Sequence, residues 1–307
     1  MQIFKSIKKD SCPCCDSDQD RYLGMRGGKF QREGLGIESK IVQCLNCSLV
    51  YPNPFPMPES LESLYGDTED YFSNKGNWDV RSKSYENLVN EFVERVGNKN
   101  KNIELLDIGA GRGEFNKAAL SFPQVNCMGI EVSEGSIKYA RERGIELKNT
   151  PLQELIDEGK TFDGICLNAV LAHVHEPGVF MSEISLLLKK GGHIYVDTAN
   201  EPNLLTIIGN FFNKLAGKKG IYNLNPTWQP YCVYGFNPKA LQMLFNKHDI
   251  EIGDTLIYGA PVIPLISSGA ASSGLKDRIM AMVGILIQRF ANAISLGTHM
   301  YVWGKKL

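Results

Sequence analysis

Four groups of residues in this 307-residue chain have the types and spacing to do chemistry. The first is LLDIGAGRGEF, residues 105–115, where an apolar run ends at Asp107 and Gly109, Gly111 and Gly113 alternate behind it. A chain is built this way where a buried strand stops, turns tightly and lets backbone approach a ligand. The second is Glu131 in GIEVS, an acid that closes another apolar run. The third is a pair of C-x-x-C knuckles, Cys12/Cys15 in CPCC and Cys44/Cys47 in CLNC. The fourth is His173 and His175 in NAVLAHVHEP.

The glycine spacing narrows the ligand. A dinucleotide fingerprint, G-x-G-x-x-G/A, needs Gly or Ala at 114, where this chain has Glu114. That residue brings a carboxylate to the place where a pyrophosphate should sit. S-adenosylmethionine (SAM) carries no phosphate and makes no such demand. Asp107 can serve its ammonium group directly or through water, and the glycine backbone can pass close to its methionine and ribose portions. The two oxygens of Glu131 match the ribose diol, as the acidic residue does in dinucleotide folds.

Four thiolates from two tight turns suit tetrahedral Zn²⁺. Clustered pairs in a reducing compartment point to metal before disulfide, with metal-free thiols as the alternative. Cys127, Cys166 and Cys232 stand singly in apolar surroundings and read as small buried hydrophobes. An imidazole titrates near neutrality, so His173 or His175 can take a proton from an attacking nucleophile. The alternative for each is an ordinary polar role where a helix starts.

These residues need elements to hold them. Strand-like runs fall at Ile103–Ile108, Val125–Ile130, Phe162–Leu167 and His193–Val196, and helical segments at Glu114–Ser121, Ser133–Arg143 and Val179–Leu188 separate them. Ser133 is an N-cap candidate, and Gly191–Gly192 after two lysines reads as a helix stop. Short apolar strands alternating with helices predict a parallel sheet covered on both faces. A polar helical segment at Asp79–Val96 precedes this alternation; a helix at Asn237–Lys247 and strands at Ile250–Tyr258 and Thr298–Trp303 complete it. YPNPFPMPES, with four prolines, reads as a connector.

A net charge of −1 gives no electrostatic reason to expect nucleic acid. MQIFKSIKKD lacks the features of a secretory signal, so the expected compartment is the cytoplasm. IMAMVGILIQRF, Ile279–Phe290, is too short an apolar run for a transmembrane segment and reads as an amphipathic helix packed on something, a route to homo-oligomers.

From about residue 100 onward the motifs together resemble a class I SAM-dependent methyltransferase. LLDIGAGRGEF is similar to the family's first motif and GIEVS to its second-strand acid. FDGICLNAVLAHVHEP resembles the fourth strand and the segment after it, LKKGGHIYVDTAN the fifth strand with its turn, and FNPKALQMLFNKHDIEI the penultimate helix and strand. The start of the chain resembles family members that modify sugars and natural products, with CPCC, CLNC, LVYPNP and DYF in the matching places. Cys14 departs from that pattern and could replace a neighbour as ligand; Cys232 stands where related chains often carry His.

The resemblance implies an α/β fold: a Rossmann-like, mostly parallel seven-stranded sheet with helices on both faces, plus a small N-terminal zinc-binding module. It implies a zinc-ribbon-like module with its connector in residues 1–58. A methyltransferase domain in 59–307 would follow, with helical lid insertions near 201–234 and 260–297. Asp107, Gly109, Gly111, Gly113, Glu131, Val132, Leu152 and Asn168 would bind SAM, Cys12, Cys15, Cys44 and Cys47 a structural zinc, and His173 and His175 would be catalytic. Phe211, Phe212, Tyr222, Trp228, Tyr231 and Tyr234 of the first insertion would line an acceptor pocket or pack in the core. The implied reaction is methyl transfer to an oxygen or nitrogen of a small molecule: a sugar, a glycan precursor or a secondary metabolite. A SAM-binding module without activity is one rival. An RNA or protein methyltransferase is another, disfavoured by near-neutral charge and the absence of an N/D-P-P-Y/F motif.

Overall fold

The N-terminal cysteines sit in a small antiparallel structure. In the computed structural model, β1 (Phe4–Ile7) precedes a three-stranded sheet of β2 (Asp20–Arg26), β3 (Ser39–Cys44) and β4 (Val50–Pro52). β5 (Phe55–Pro58) then returns to pair with β1, Phe4 opposite Pro58 and Ser6 opposite Pro56. The proline-rich stretch expected as a connector therefore forms strand. Prolines are tolerated there because a two-stranded ladder is all edge and can spare their missing N–H groups. The structure describes residues 4–31, 33–59, 64, 77–97, 102–228, 231–259 and 275–307. DYF (70–72) and residues 260–274 of the second insertion lie outside these.

The expected helix at 79–96 is two helices, α1 (Trp78–Ser84) and α2 (Glu86–Val96), broken at Tyr85. The alternation then follows: β6 (Ile103–Ile108), α3 (Glu114–Ala119), β7 (Val125–Ile130), α4 (Glu134–Arg141), β8 (Leu147–Lys148) and α5 (Leu152–Asp157). Next come β9 (Phe162–Asn168), α6 (Pro177–Leu187), β10 (Leu188–Ala199), α7 (Leu204–Leu215) and α8 (Pro238–Asn246). β11 (Ile250–Tyr258), α9 (Leu275–Ala293) and β12 (His299–Lys306) end the chain. Ser133 caps α4 as expected, its hydroxyl accepting from the Ser136 N–H at 3.2 Å.

Seven strands form one sheet in the order β11-β12-β10-β9-β6-β7-β8. β8, β7, β6, β9 and β10 run parallel, and β12 inserts antiparallel between β10 and β11. The order reverses between β6 and β9, so a crevice must open beyond their carboxyl ends. Adjacent residues of β6 face opposite sides: Leu106 joins a core with α6 and α8, whereas Leu105 joins one with α2 and α3. On the second face the Phe92 ring meets Trp303 at 4.6 Å between centroids.

Gly191–Gly192 does not stop α6. The helix ends at Leu187, and Leu188 already pairs with Phe162 of β9. Lys306 supplies the cap instead, its ammonium donating to the carbonyls of Ser185 and Leu188. The glycines serve the irregularity between Leu188 and His193, where Gly191 adopts φ 77°.

The N-terminal structure shares a core with the sheet: Cys12, Val42, Cys47 and Phe55 belong to one buried cluster with Leu106, Ile165 and Phe245. The insertion at 201–234 docks along the same structure, with backbone bridges Met25–Gly220 and Val50–Gly235. Arg26 reinforces this, donating to the Leu224 carbonyl at 2.8 Å and to Asn225 Oδ1 at 3.0 Å. On α9, Met282, Ile285, Leu286 and Phe290 are exposed in the single chain, whereas Ala291 is buried. Among the described residues no helix is long and apolar enough to cross a membrane.

Glu201 closes the insertion's base. Its carboxylate accepts from the Thr206 hydroxyl at 3.0 Å and from Asn223 Nδ2 at 2.7 Å. Burial pushes its pKa from 4.5 up to about 7, against the pull of these bonds and of Arg26. The folded state thus binds more protons than the unfolded one between those values, and stability falls as pH rises through that window. Glu201→Gln removes the charge and should flatten this dependence. In thermal unfolding the variant should gain on wild type from about pH 5 to pH 8, by up to about 3 kcal/mol. Parallel pH profiles would overturn the assignment.

Candidate active site

A cavity of about 780 Å³ opens where the strand order reverses. That volume lies within the roughly 300–1,000 Å³ of small-molecule sites. Of the residues expected to bind cofactor, Asp107, Gly109, Gly111, Glu131, Val132 and Asn168 line it, and so do His173 and His175. Gly113 and Leu152 do not. Gly113 is the left-handed residue that starts α3, and Leu152 is buried in the core beneath.

The turn after β6 is shaped by its glycines. Gly109 has φ 69°, and a Cβ there would lie 2.7 Å from a methyl of Val170. Glu131 holds the turn from the neighbouring strand. One carboxylate oxygen accepts from the Gly111 N–H at 2.8 Å; the other accepts from Val132 N–H at 2.8 Å and Ser133 N–H at 2.9 Å. A carboxylate offers about four acceptor positions, so holding the turn is compatible with receiving a diol.

Asp107 is buried at the end of β6. With the Asn116 amide oriented to satisfy both of its groups, Nδ2 donates to Asp107 Oδ2 at 3.0 Å and the oxygen accepts from Gly129 N–H at 3.1 Å. Burial first, then the charges of Glu131 and Glu114, hold the Asp107 carboxyl well above the usual carboxylate range. Glu114 is itself neutralised, by Arg112 at 2.9 Å and Arg81 at 3.2 Å. An ammonium group beside Asp107 would oppose these effects, because an adjacent cation favours the ionised carboxylate. The donor set therefore fits the cationic end of SAM.

A second set of walls borders the same cavity. Met57, Pro58 and Glu59 come from the end of β5, and Val179, Phe180 and Glu183 from α6. His175 stands edge-on to Phe55 at 5.6 Å, and burial lowers its pKa by disfavouring the charged imidazolium. Lys9 forms an ion pair with Glu176 and fastens the N-terminal structure to α6.

The expected aromatic lining is not there. None of the six aromatics of the first insertion lines the cavity: Phe211, Phe212 and Tyr222 are exposed, while Tyr231 and Tyr234 are buried. The insertion follows the N-terminal sheet rather than arching over the crevice. Cys232 likewise lies away from the cavity, half-buried near Glu201. Sequence reasoning missed Arg81, Tyr85 and the end of β5. Tyr85 hydrogen-bonds Asn168 and lines the cavity at the break between α1 and α2. A tyrosine breaking a polar helical run was the only signal for it.

The four expected metal-binding cysteines converge. The sulfurs of Cys12, Cys15, Cys44 and Cys47 all lie within 4.8 Å of one another, with Cys12–Cys47 and Cys15–Cys44 both at 3.5 Å. A tetrahedral zinc with Zn–S bonds of about 2.3 Å has S···S edges near 3.8 Å, so the set fits the ion. Cys14 is not a substitute ligand, because its thiol donates to the Ala240 carbonyl at 2.9 Å.

Comparison with known proteins agrees with this geometry. A family model described as a methyltransferase domain matches residues 81–251, more than half of the chain. A mitochondrial ubiquinone biosynthesis O-methyltransferase of Dictyostelium discoideum is 22% identical over 174 residues, covering 51% of this chain and 53% of that protein. The ubiquinone biosynthesis O-methyltransferase of Pelagibacter ubique is 31% identical over 122 residues, 38% of this chain and 50% of its own. The chain thus spans about half the length of these curated relatives. A SAM-dependent methyltransferase structure from Archaeoglobus fulgidus aligns with a TM-score of 0.47 and 18% identity, over 79% of this chain and 99% of that one. The chain belongs to the methyltransferase domain family, with a Rossmann-like sheet and an N-terminal four-cysteine cluster.

Proposed function

We propose that this protein transfers a methyl group from SAM to an oxygen or nitrogen of a small-molecule acceptor, a sugar, glycan precursor or secondary metabolite. The observation that carries the reading is the meeting, in one cavity, of a cation-seeking buried Asp107, a glycine turn held by Glu131, and two histidines. The names of the relatives favour oxygen. Among the lining residues, Glu59, Glu176 and Glu183 border the second set of walls, and the arginine, Arg81, is engaged by Glu114. That balance favours neutral acceptors over anionic ones.

When bound, SAM supplies an electrophilic methyl group. Asp107 receives its ammonium, the backbone of Gly109 and Gly111 borders its methionine and ribose, and Glu131 accepts the ribose hydroxyls. Val132 and Asn168 complete that half. Met57, Phe180 and Val179 provide apolar contact that orients the acceptor and excludes water, which counts because displacement needs alignment. His173 or His175 removes the acceptor's proton. Cys12, Cys15, Cys44 and Cys47 hold one structural zinc. Residues 1–58 form the metal-stapled unit and 59–307 the methyltransferase domain, joined through the shared core.

Three measurements test this. In calorimetry SAM should bind and NAD should not. Glu131→Ala should weaken SAM by about 1.5–3 kcal/mol or more for each charged hydrogen bond lost. NAD binding in place of SAM would sink the cofactor assignment. His173→Ala should lower turnover about 10²–10⁴-fold while affinity for S-adenosylhomocysteine stays unchanged; near-wild-type turnover in the folded variant would remove His173 from the reaction. Metal analysis of protein purified without added zinc should find one ion per chain, absent in Cys44→Ser. Metal-free native protein would defeat the zinc site.

A further inference from the structure

Helix α7 is inside out. Of its residues only Thr206 is buried, and its polar side chains face the protein. Asn210 donates to Asn223 Oδ1 at 2.7 Å and accepts from the Tyr222 N–H at 2.9 Å; Asn213 donates to the Gly220 carbonyl at 2.8 Å. Its apolar side chains face outward. Leu205, Ile207, Ile208, Phe211, Phe212 and Leu215 are all exposed, and the last three are 57%, 62% and 69% accessible. Single exposed hydrophobics need no explanation, but a contiguous stripe of six marks a surface that something covers.

Charge identifies what covers it. Lys214, Lys218 and Lys219 follow at the end of the stripe, all exposed. Between Glu201 and Asp249, over residues 202–248, the sequence has five lysines and no acidic residue, in a chain whose net charge is −1. An apolar face with two adjacent phenylalanines, bordered by lysines and lacking acids, has the composition of a helix lying in the headgroup region of an anionic bilayer. α9 extends the surface. The Leu204 N–H at the start of α7 donates to the Leu296 carbonyl just past the end of α9, and Met282, Ile285, Leu286 and Phe290 of α9 are also exposed.

We propose that α7 is a membrane-docking helix, which places its apolar face in an anionic lipid surface while Lys214, Lys218 and Lys219 meet the headgroups. Docking is separable from methyl transfer, because no side chain of α7 lines the cavity. The full-length protein should sediment with phosphatidylcholine vesicles that contain phosphatidylglycerol, and much less with phosphatidylcholine alone or at high salt. Phe211→Ser/Phe212→Ser should weaken this binding by about tenfold or more, with circular dichroism unchanged. A Phe211→Trp variant provides a second readout: its fluorescence should be quenched by lipids brominated in the upper acyl chain, since such helices sit roughly 5–10 Å deep. Absence of binding to anionic vesicles, or absence of quenching, overturns the proposal. So does a lipid-free dimer that Phe211→Ser/Phe212→Ser converts to monomer, which would assign the face to a second copy of the chain.

Discussion

Three carboxylates must coexist at one end of one sheet: Asp107, Glu114 and Glu131 all border the same cavity. Like charges removed from water repel strongly, so each needs its own solution. Glu114 lies against Arg112, both nearly buried, with Arg81 on its outer side. Trp78 holds Arg112 in turn, its indole N–H donating to the Arg112 carbonyl at 3.0 Å, which ties α1 to the turn. Glu131 spends its charge on three backbone N–H groups, which makes the glycine turn a counter-dipole as well as a passage for ligand. Asp107 has the Asn116 amide and the Cys166 thiol as partners, and its pKa stays raised. Of the three, Asp107 is the carboxyl whose ionised form is least favoured by its surroundings.

The N-terminal cysteine structure is part of the cavity as well as an appendage to it. Its knuckles sit in the same core as β6, β9 and α8. β5 runs from that core to the cavity wall at Met57 and Pro58, while Lys9 anchors α6 through Glu176. A loss of order at the four cysteines would therefore reach the cavity wall at Met57 and Pro58 through β5, whereas the glycine turn is held from β7. The two ends of the cavity thus depend on different parts of the chain.

Much of this was legible because chemistry and period coincided. The alternation of short apolar runs with helices revealed the parallel core, the glycines stand where the turn needs positive φ, and Glu131 stands where three backbone N–H groups need an acceptor. The less legible features depend on partners far along the chain. Nothing near Lys189 shows that Lys306 would cap α6 and release the two glycines for another use. Prolines at 56 and 58 read as breakers because their neighbour in β1 lies some fifty positions away. Tyr85 gains its meaning from Asn168, which no spacing rule connects to it.

The insertion shows a different limit. Periodicity tells which residues share a helix face, but not which face turns inward. Phe211 and Phe212 of α7 read as lining of an acceptor pocket or as core, yet the helix is fastened by its amides. A buried polar group without a partner costs about 1–3 kcal/mol, whereas each satisfied bond adds only about 0.5–1.5 kcal/mol. Glu201, Asn203 and Asn223 are buried in the segment's base and need partners there. Thr206 satisfies Glu201 and completes a capping box with Asn203, and Asn210 satisfies Asn223. Turning the apolar stripe inward would break these contacts together and strand a carboxylate already strained by burial. The polar network at the base thus decides the orientation of the helix, and the apolar face is presented outward as its consequence.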